Sequence, residues 1–272
     1  MNTVLITGAS AGIGKATAKL FASKGWQVAA TMRTPEKATD LHGIENIHIY
    51  TLDVAQNEKL VGNVVNKIIN DLGSVNVLIN NAGVGVFGAF EVADFNLIET
   101  QFDTNLLGLM RVTRAVLPYF RNQNSGTIIN ISSGVGRMAL PMQSLYSASK
   151  FAIEGFSEAL QYELNPLGIR VKIVEPGTIK TDFFGSLKIA NNKQITAYQT
   201  YQERVITNHF KRDEQGAKPE MVAEVIYQAA TDRSVRLRYP AGKDVSLFLR
   251  LRKLLPDSLF FNLVRRQLEK DS

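Results

Sequence analysis

Short apolar runs rich in β-branched residues alternate along this chain with longer stretches in which apolar residues recur every three or four positions. The short runs predict strands over 3–7, 27–31, 47–52, 75–79, 127–131 and 169–174, and the longer ones predict helices over 12–24, 35–41, 58–72, 95–120 and 144–164. Regular alternation of this kind implies right-handed crossovers and a parallel sheet with helices on both faces. The fold class is therefore α/β, doubly wound and Rossmann-like, with its ligand at the carboxyl ends of the strands. A helix over 219–230 and a short strand over 235–239 complete the sheet. Two further amphipathic stretches follow, divided by Pro256-Asp257-Ser258: Leu247, Phe248, Leu251, Leu254 and Leu255 share one helical face, and Phe260, Phe261, Val264 and Leu268 share another.

The chain has 272 residues, no Pro-, Gly- or Ser-rich linker and no internal repeat, so one domain spanning 1–272 with a C-terminal helical extension over 244–268 is expected. The absence of cysteine excludes disulfides, thiolate metal sites and cysteine nucleophiles. His42, His48 and His209 form no ligand or triad pattern, which leaves no basis for a zinc site or a hydrolase. The first residues lead directly into an apolar run with no basic leader, and no stretch reaches the ~18 apolar residues of a membrane span. A soluble, cytoplasmic protein is expected. The net charge is +6, but nine cations between Arg233 and Arg266 face only Asp244 and Asp257, so the rest of the chain is nearly neutral. That distribution argues against a nucleic-acid-binding surface.

Two local patterns carry chemistry. Thr7-Gly8-Ala9-Ser10-Ala11-Gly12-Ile13-Gly14 occupies the first strand-to-helix turn, where glycines admit a pyrophosphate to the backbone and the helix amino terminus attracts its charge. Tyr146 and Lys150 lie four apart on a predicted helix, about 5 to 6 Å from one another. An ammonium at that range favours the phenolate, so Tyr146 can exchange a proton at a carbonyl or alcohol oxygen. Ser133, thirteen residues upstream, can polarise that oxygen, with Ser132 beside it as the competing candidate.

With these residues the chain resembles the short-chain dehydrogenase/reductase family, in its compact single-domain branch, from Asn2 to about Thr181. The resemblance implies a nicotinamide cofactor held by Gly8, Ser10, Gly12, Ile13 and Gly14, with Asp53 and Val54 beside the adenine. Asn80-Asn81-Ala82-Gly83 would lie along the ribose and brace the sheet, and Pro176, Gly177, Thr178, Ile179 and Thr181 would hold the nicotinamide end. It further implies that Ser133, Tyr146 and Lys150 act at the carbonyl, that Lys150 also holds the nicotinamide ribose, and that Asn105 is linked to Lys150 through a water. The second strand ends in Thr31-Met32-Arg33, with no carboxylate to bind a free ribose 2′-hydroxyl, and Arg33 can bind a 2′-phosphate. NADP(H) is favoured over NAD(H), and with it carbonyl reduction.

The resemblance makes 182–216 a substrate-covering segment, where Phe183, Phe184, Tyr198, Tyr201 and Phe210 either supply surface for a lipophilic ketone or aldehyde or pack the segment itself. It also implies a homodimer or homotetramer paired through the helices of Asn105 and Tyr146. The basic extension is read as a helical pair docked on the domain or a dimer contact, with peripheral membrane contact as the alternative. Other functional readings are a non-catalytic NADP(H) sensor, an NAD-dependent alcohol dehydrogenase, and a sugar-nucleotide epimerase or dehydratase, whose chains are longer and carry a different glycine turn.

Overall fold

In the computed structural model, residues 1–181 and 187–269 are described, Asp213 by its backbone alone. Phe183 and Phe184 lie outside the described residues. Seven parallel strands form one sheet in the order β3-β2-β1-β4-β6-β7-β9. They are β1 (Thr3–Thr7), β2 (Gln27–Met32), β3 (Ile47–Thr51), β4 (Val77–Asn80), β6 (Gly126–Ile131), β7 (Ile169–Pro176) and β9 (Arg238–Ala241). A separate pair joins β5 (Val86–Phe87) to β8 (Lys188–Ile189). The chain order reverses between β1 and β4, the position at which a doubly wound sheet opens a crevice.

The strand residues point alternately to two cores, as a pleated strand requires. Val4, Ile6, Val28 and Ile79 pack with Phe21 of α1 (Gly12–Ser23) and with Val222 and Ile226 of α7 (Pro219–Thr231). Leu5, Ala29, Leu78 and Ile128 pack on the other side. Their partners come from α2 (Glu58–Leu72), α4 (Leu109–Gln123) and α5 (Ser144–Leu164). Each of the Val, Leu, Ile and Phe side chains among them, once withdrawn from water, contributes about 1.5 to 3 kcal/mol.

Three elements differ from the pattern expected of the sequence. Residues 35–41 form two 3₁₀ turns, Pro35–Lys37 and Thr39–Leu41, with Ala38 buried between them. The helix expected over 95–120 is interrupted: α3 (Phe95–Phe102) passes through a π-helical segment, Asp103–Gly108, before α4. The last strand begins at Arg238 rather than 235, because the fully buried Lys172 donates to Ser234 O (2.9 Å) and Tyr239 OH (2.8 Å), which loops the intervening residues around its ammonium. Pro240 is tolerated there because β9 is an edge strand.

Beyond the sheet, α6 (Gln199–Glu214), α8 (Lys243–Leu254) and α9 (Asp257–Leu268) lie over the carboxyl ends of the strands. The extension docks on its own domain: Phe260, Val264 and Leu268 bury against Met138, with Leu140, Phe248, Leu251 and Leu255 around them. Leu247, Leu254 and Phe261, expected on the buried faces, turn to solvent instead. The inward stripe of α8 is set by Val245 and Phe248, which meet the loop after β6, so the helix is rotated from the position that its own periodicity suggests.

Candidate active site

The strand ends open into one cleft of about 510 Å³. At its nucleotide end Gly8 and Gly12 take left-handed φ values of +67° and +51°, which side-chain-bearing residues rarely adopt. A Cβ on Gly14 would stand 2.3 Å from Gly8 O, and one on Gly8 would stand 2.8 Å from Ala82 Cα. The turn thus packs directly on the segment after β4. Asn81 Nδ2 donates to Thr7 O and Gly8 O at 2.9 Å, while Thr7 Oγ1 accepts the amides of Asn81 and Ala82 at 3.0 Å. Asn80 extends the brace inward, donating to Thr113 Oγ1 and Asn130 Oδ1 at 2.9 Å, and Asn130 donates to Ser157 Oγ at 2.8 Å.

A pyrophosphate fits this cradle. The first turn of α1 has no side-chain cap and no acidic residue, so its amides face the cleft uncompensated. Ser10, Ile13, Arg33, Asp53, Val54, Ala82 and Gly83 border the same space, and Pro176, Gly177, Thr178, Ile179 and Thr181 border it from β7. The Asp53 carboxylate is fixed by the Ala55 amide at 3.0 Å. Gly14, Asn80 and Asn105 are the expected residues that stand behind the wall rather than in it.

At the other end Tyr146 and Lys150 project from one face of α5, the Lys150 Nζ lying 5.7 Å from the centre of the Tyr146 ring. Ser133, two residues past the end of β6, hydrogen-bonds the Tyr146 phenol. The Ser132 hydroxyl is buried with no partner among the described residues. Burial drives the Tyr146 pKa up, opposed by the Ser133 bond. Burial also lowers Lys150 to about 8, opposed by the charge of Glu154 one turn further on. Lys150 Nζ donates to Ile131 O at 2.8 Å. The expected lowering of the phenol by the ammonium therefore does not govern this state: loss of solvent outweighs it, and Tyr146 is a protonated acid.

Asn105 sits in the π-helical segment. Its Oδ1 accepts the Val84 amide at 2.8 Å and its Nδ2 donates to Val84 O at 3.0 Å and Ser149 Oγ at 3.3 Å. Gln101, four residues earlier, does the same for Val86 N and Val84 O. The two amides pin the 84–86 segment, which leads into β5, beside the cleft, and no direct contact runs from Asn105 to Lys150 among the described residues.

Several residues of the site had no signature in the sequence. His209 is buried against Phe87 (ring centroids 5.8 Å apart), and Gln143 Nε2 lies 3.2 Å from its Nε2. Burial lowers its pKa to about 4, so the ring is neutral. Arg212, one turn along α6, stacks on Phe248 of α8 at 6.0 Å. Only a helical spacing links 209 to 212, and nothing local says that α6 folds over the cleft. Tyr198 and Tyr201, read as substrate contacts or as packing of the covering segment, bond to Glu91 and Glu269 instead of the cleft, each at 2.6 Å. Neither they nor Phe210 border the cleft. Behind Lys150, Glu154 pairs with Arg238 at 3.0 Å and Glu175 with Arg137 at 3.1 Å. Burial and the nearby Glu154 raise the Glu175 carboxyl.

Residues 2–192 match the family model described as short chain dehydrogenase. The uncharacterized oxidoreductase YusZ of Bacillus subtilis is 37% identical over 276 residues, covering 97% of each chain. The 3-ketodihydrosphingosine reductase of Bacteroides thetaiotaomicron is 37% identical over 258 residues, covering 94% of each. Among solved structures, a short-chain dehydrogenase from Streptomyces avermitilis superposes with a TM-score of 0.84 at 32% identity over 97% of this chain and 95% of that one. An alcohol dehydrogenase from Thermococcus sibiricus complexed with 5-hydroxy-NADP gives 0.72 at 26% identity over 88% and 95%. The cleft, its reactive side chains and these likenesses agree: the chain belongs to the short-chain dehydrogenase/reductase family and is an oxidoreductase that acts between CH–OH and C=O with a nicotinamide cofactor.

Proposed function

We propose that this oxidoreductase is an NADP(H)-dependent reductase of lipophilic ketones or aldehydes. The observation that carries the cofactor choice is the end of β2, where Met32, Arg33, Thr34 and Lys37 border the cleft and no carboxylate does. Arg33 and Lys37 are exposed at this rim, suited to a 2′-phosphate. Of the acids in the same segment, Asp40 is held by Lys19 at 2.7 Å and Lys15 at 3.4 Å. The substrate end is walled by Phe87, Val135, Met138, Leu140, Phe248 and Leu268, an apolar lining that favours a lipophilic compound. Similarity to a 3-ketodihydrosphingosine reductase supports a ketone and the reductive direction.

A bound nicotinamide supplies the hydride. The protein supplies the proton and the geometry. Tyr146, kept protonated by burial, donates its proton to the carbonyl oxygen as negative charge develops there. Ser133, already bonded to that phenol, holds the same oxygen. Lys150 steadies the phenolate left behind, and Asn105 and Gln101 keep the 84–86 segment in place beside it.

The test is turnover of a graded series of ketones and aldehydes with NADPH and with NADH. NADPH is expected to be preferred by at least about tenfold, the equivalent of one charge-assisted hydrogen bond, and Arg33→Ala to erase most of that margin. Equal use of both cofactors by the parent protein overturns the cofactor choice. Faster turnover of short polar carbonyls than of long-chain ones overturns the substrate class.

A further inference from the structure

The helices that roof the cleft also present a second surface. Along α8, Lys243, Leu247, Arg250 and Leu254 fall within one arc, because steps of four, seven and eleven residues return to one side of a helix. Leu247 is 56% exposed and Leu254 77%. On α9, Leu259 is 56% and Phe261 45% exposed. Among these apolar side chains stand the exposed cations Lys243, Arg250, Lys253, Arg265 and Arg266, and none of the five is ion-paired among the described residues. Of the neighbouring acids among the described residues, Asp257 pairs with Arg252, Asp244 accepts the Thr178 amide at 3.0 Å and Glu269 accepts the Tyr201 hydroxyl at 2.6 Å. Large apolar side chains interleaved with uncompensated cations are costly to leave in water and match a surface that is both negatively charged and apolar just beneath.

We infer that the outward face of α8 and α9 docks on an anionic phospholipid bilayer. Leu247, Leu254 and Leu259 enter the boundary between headgroups and acyl chains, and the cations, with Lys243, Arg250 and Arg266 on the same arcs and Lys253 and Arg265 towards their edges, lie at the lipid phosphates. The inward faces of the same two helices carry Phe248, Val264 and Leu268 into the cleft wall. Docking therefore sets the substrate end of the cleft against the membrane, where a lipid-soluble carbonyl compound is concentrated. The docking rests on the surface alone; delivery of substrate rests in addition on the lipophilic reading of the cleft.

The full chain is sedimented with vesicles of phosphatidylcholine alone and of phosphatidylcholine with one quarter phosphatidylglycerol, at low and high salt. Binding is expected on the anionic vesicles at low salt, with weakening at high salt as the lipid charge is screened and little binding to phosphatidylcholine. The double variants Leu247→Glu/Leu254→Glu and Arg250→Glu/Lys253→Glu are each expected to lower binding by about tenfold or more. Both should turn over a small water-soluble aldehyde as the parent does, which shows that they are folded. No binding of the parent to anionic vesicles at low salt overturns the inference, as does parent-like binding by both variants. If the parent binds no vesicles and Leu247→Glu/Leu254→Glu lowers its mass by light scattering, the face is instead a contact between copies of this chain. A separate arm measures turnover of a long-chain ketone with and without anionic vesicles. Binding without stimulation removes the delivery step and leaves the docking intact.

Discussion

Burial keeps the proton on Tyr146 and loosens the one on Lys150, so the two side chains are tuned in opposite senses from their free values. Tyr146→Phe is expected to cut turnover by a factor on the order of 10² to 10⁴ while NADPH binding, followed by fluorescence, is retained. Lys150 is charged below about pH 8 and neutral above it, so kcat/KM for reduction should fall as pH rises through that value. Glu154 holds the value up, so Glu154→Gln should move this limb to lower pH; an unmoved limb would detach Glu154 from the site. His209 adds a stability signature. Its pKa is about 6.5 in the unfolded chain and about 4 in the fold, so the unfolded state binds more protons between those values. Its contribution is complete above pH 6.5 and is lost as pH falls towards 4, by up to about 3 kcal/mol. The fall in melting temperature over that window should be shallower in His209→Gln.

At the scale of elements, the junction of α3 and α4 depends on a close approach. A Cβ on Gly108 would stand 2.7 Å from Val54 Cγ2 and 3.0 Å from Val54 O, and Val54 borders the nucleotide end of the cleft. Gly108→Ala is expected to cost about 1 to 3 kcal/mol in urea unfolding and to weaken cofactor binding as the π-helical segment shifts. That segment was hidden in the sequence, because one widened turn hardly disturbs the spacing of apolar positions over 95–120. The nucleotide half of the site was legible for the opposite reason. Gly8, Gly12 and Asn81 are residue types demanded by particular backbone conformations and by hydrogen bonds to each other, and such demands show in order and spacing. The substrate half, with Gln143, His209, Arg212 and Phe248, is assembled by packing between helices distant in the chain. The rotation of α8 has the same origin, since Met138 and Leu140 decide which of its apolar positions are covered.

For the whole molecule, the extension is a roof of the cleft as much as an addition to the sheet. Val264 and Leu268 both bury against Met138 and border the substrate end. Val264→Ala/Leu268→Ala is expected to raise KM for long-chain ketones several-fold while leaving KM for NADPH unchanged, as initial rates would show. The roof is also tied to the floor. The Asp244 carboxylate caps the Thr178 amide and occupies the space above Gly177, where a Cβ would lie 2.5 Å from its oxygens, and the next residue, Val245, borders the cleft. A turn that must settle around one ligand thereby sets the position of the wall that encloses the other. The expected kinetic consequence is a compulsory sequence of events, with cofactor entering first and leaving last. NADP⁺ should then inhibit competitively against NADPH and noncompetitively against the ketone, and Asp244→Ala, which cuts the tie, should make the order of entry random.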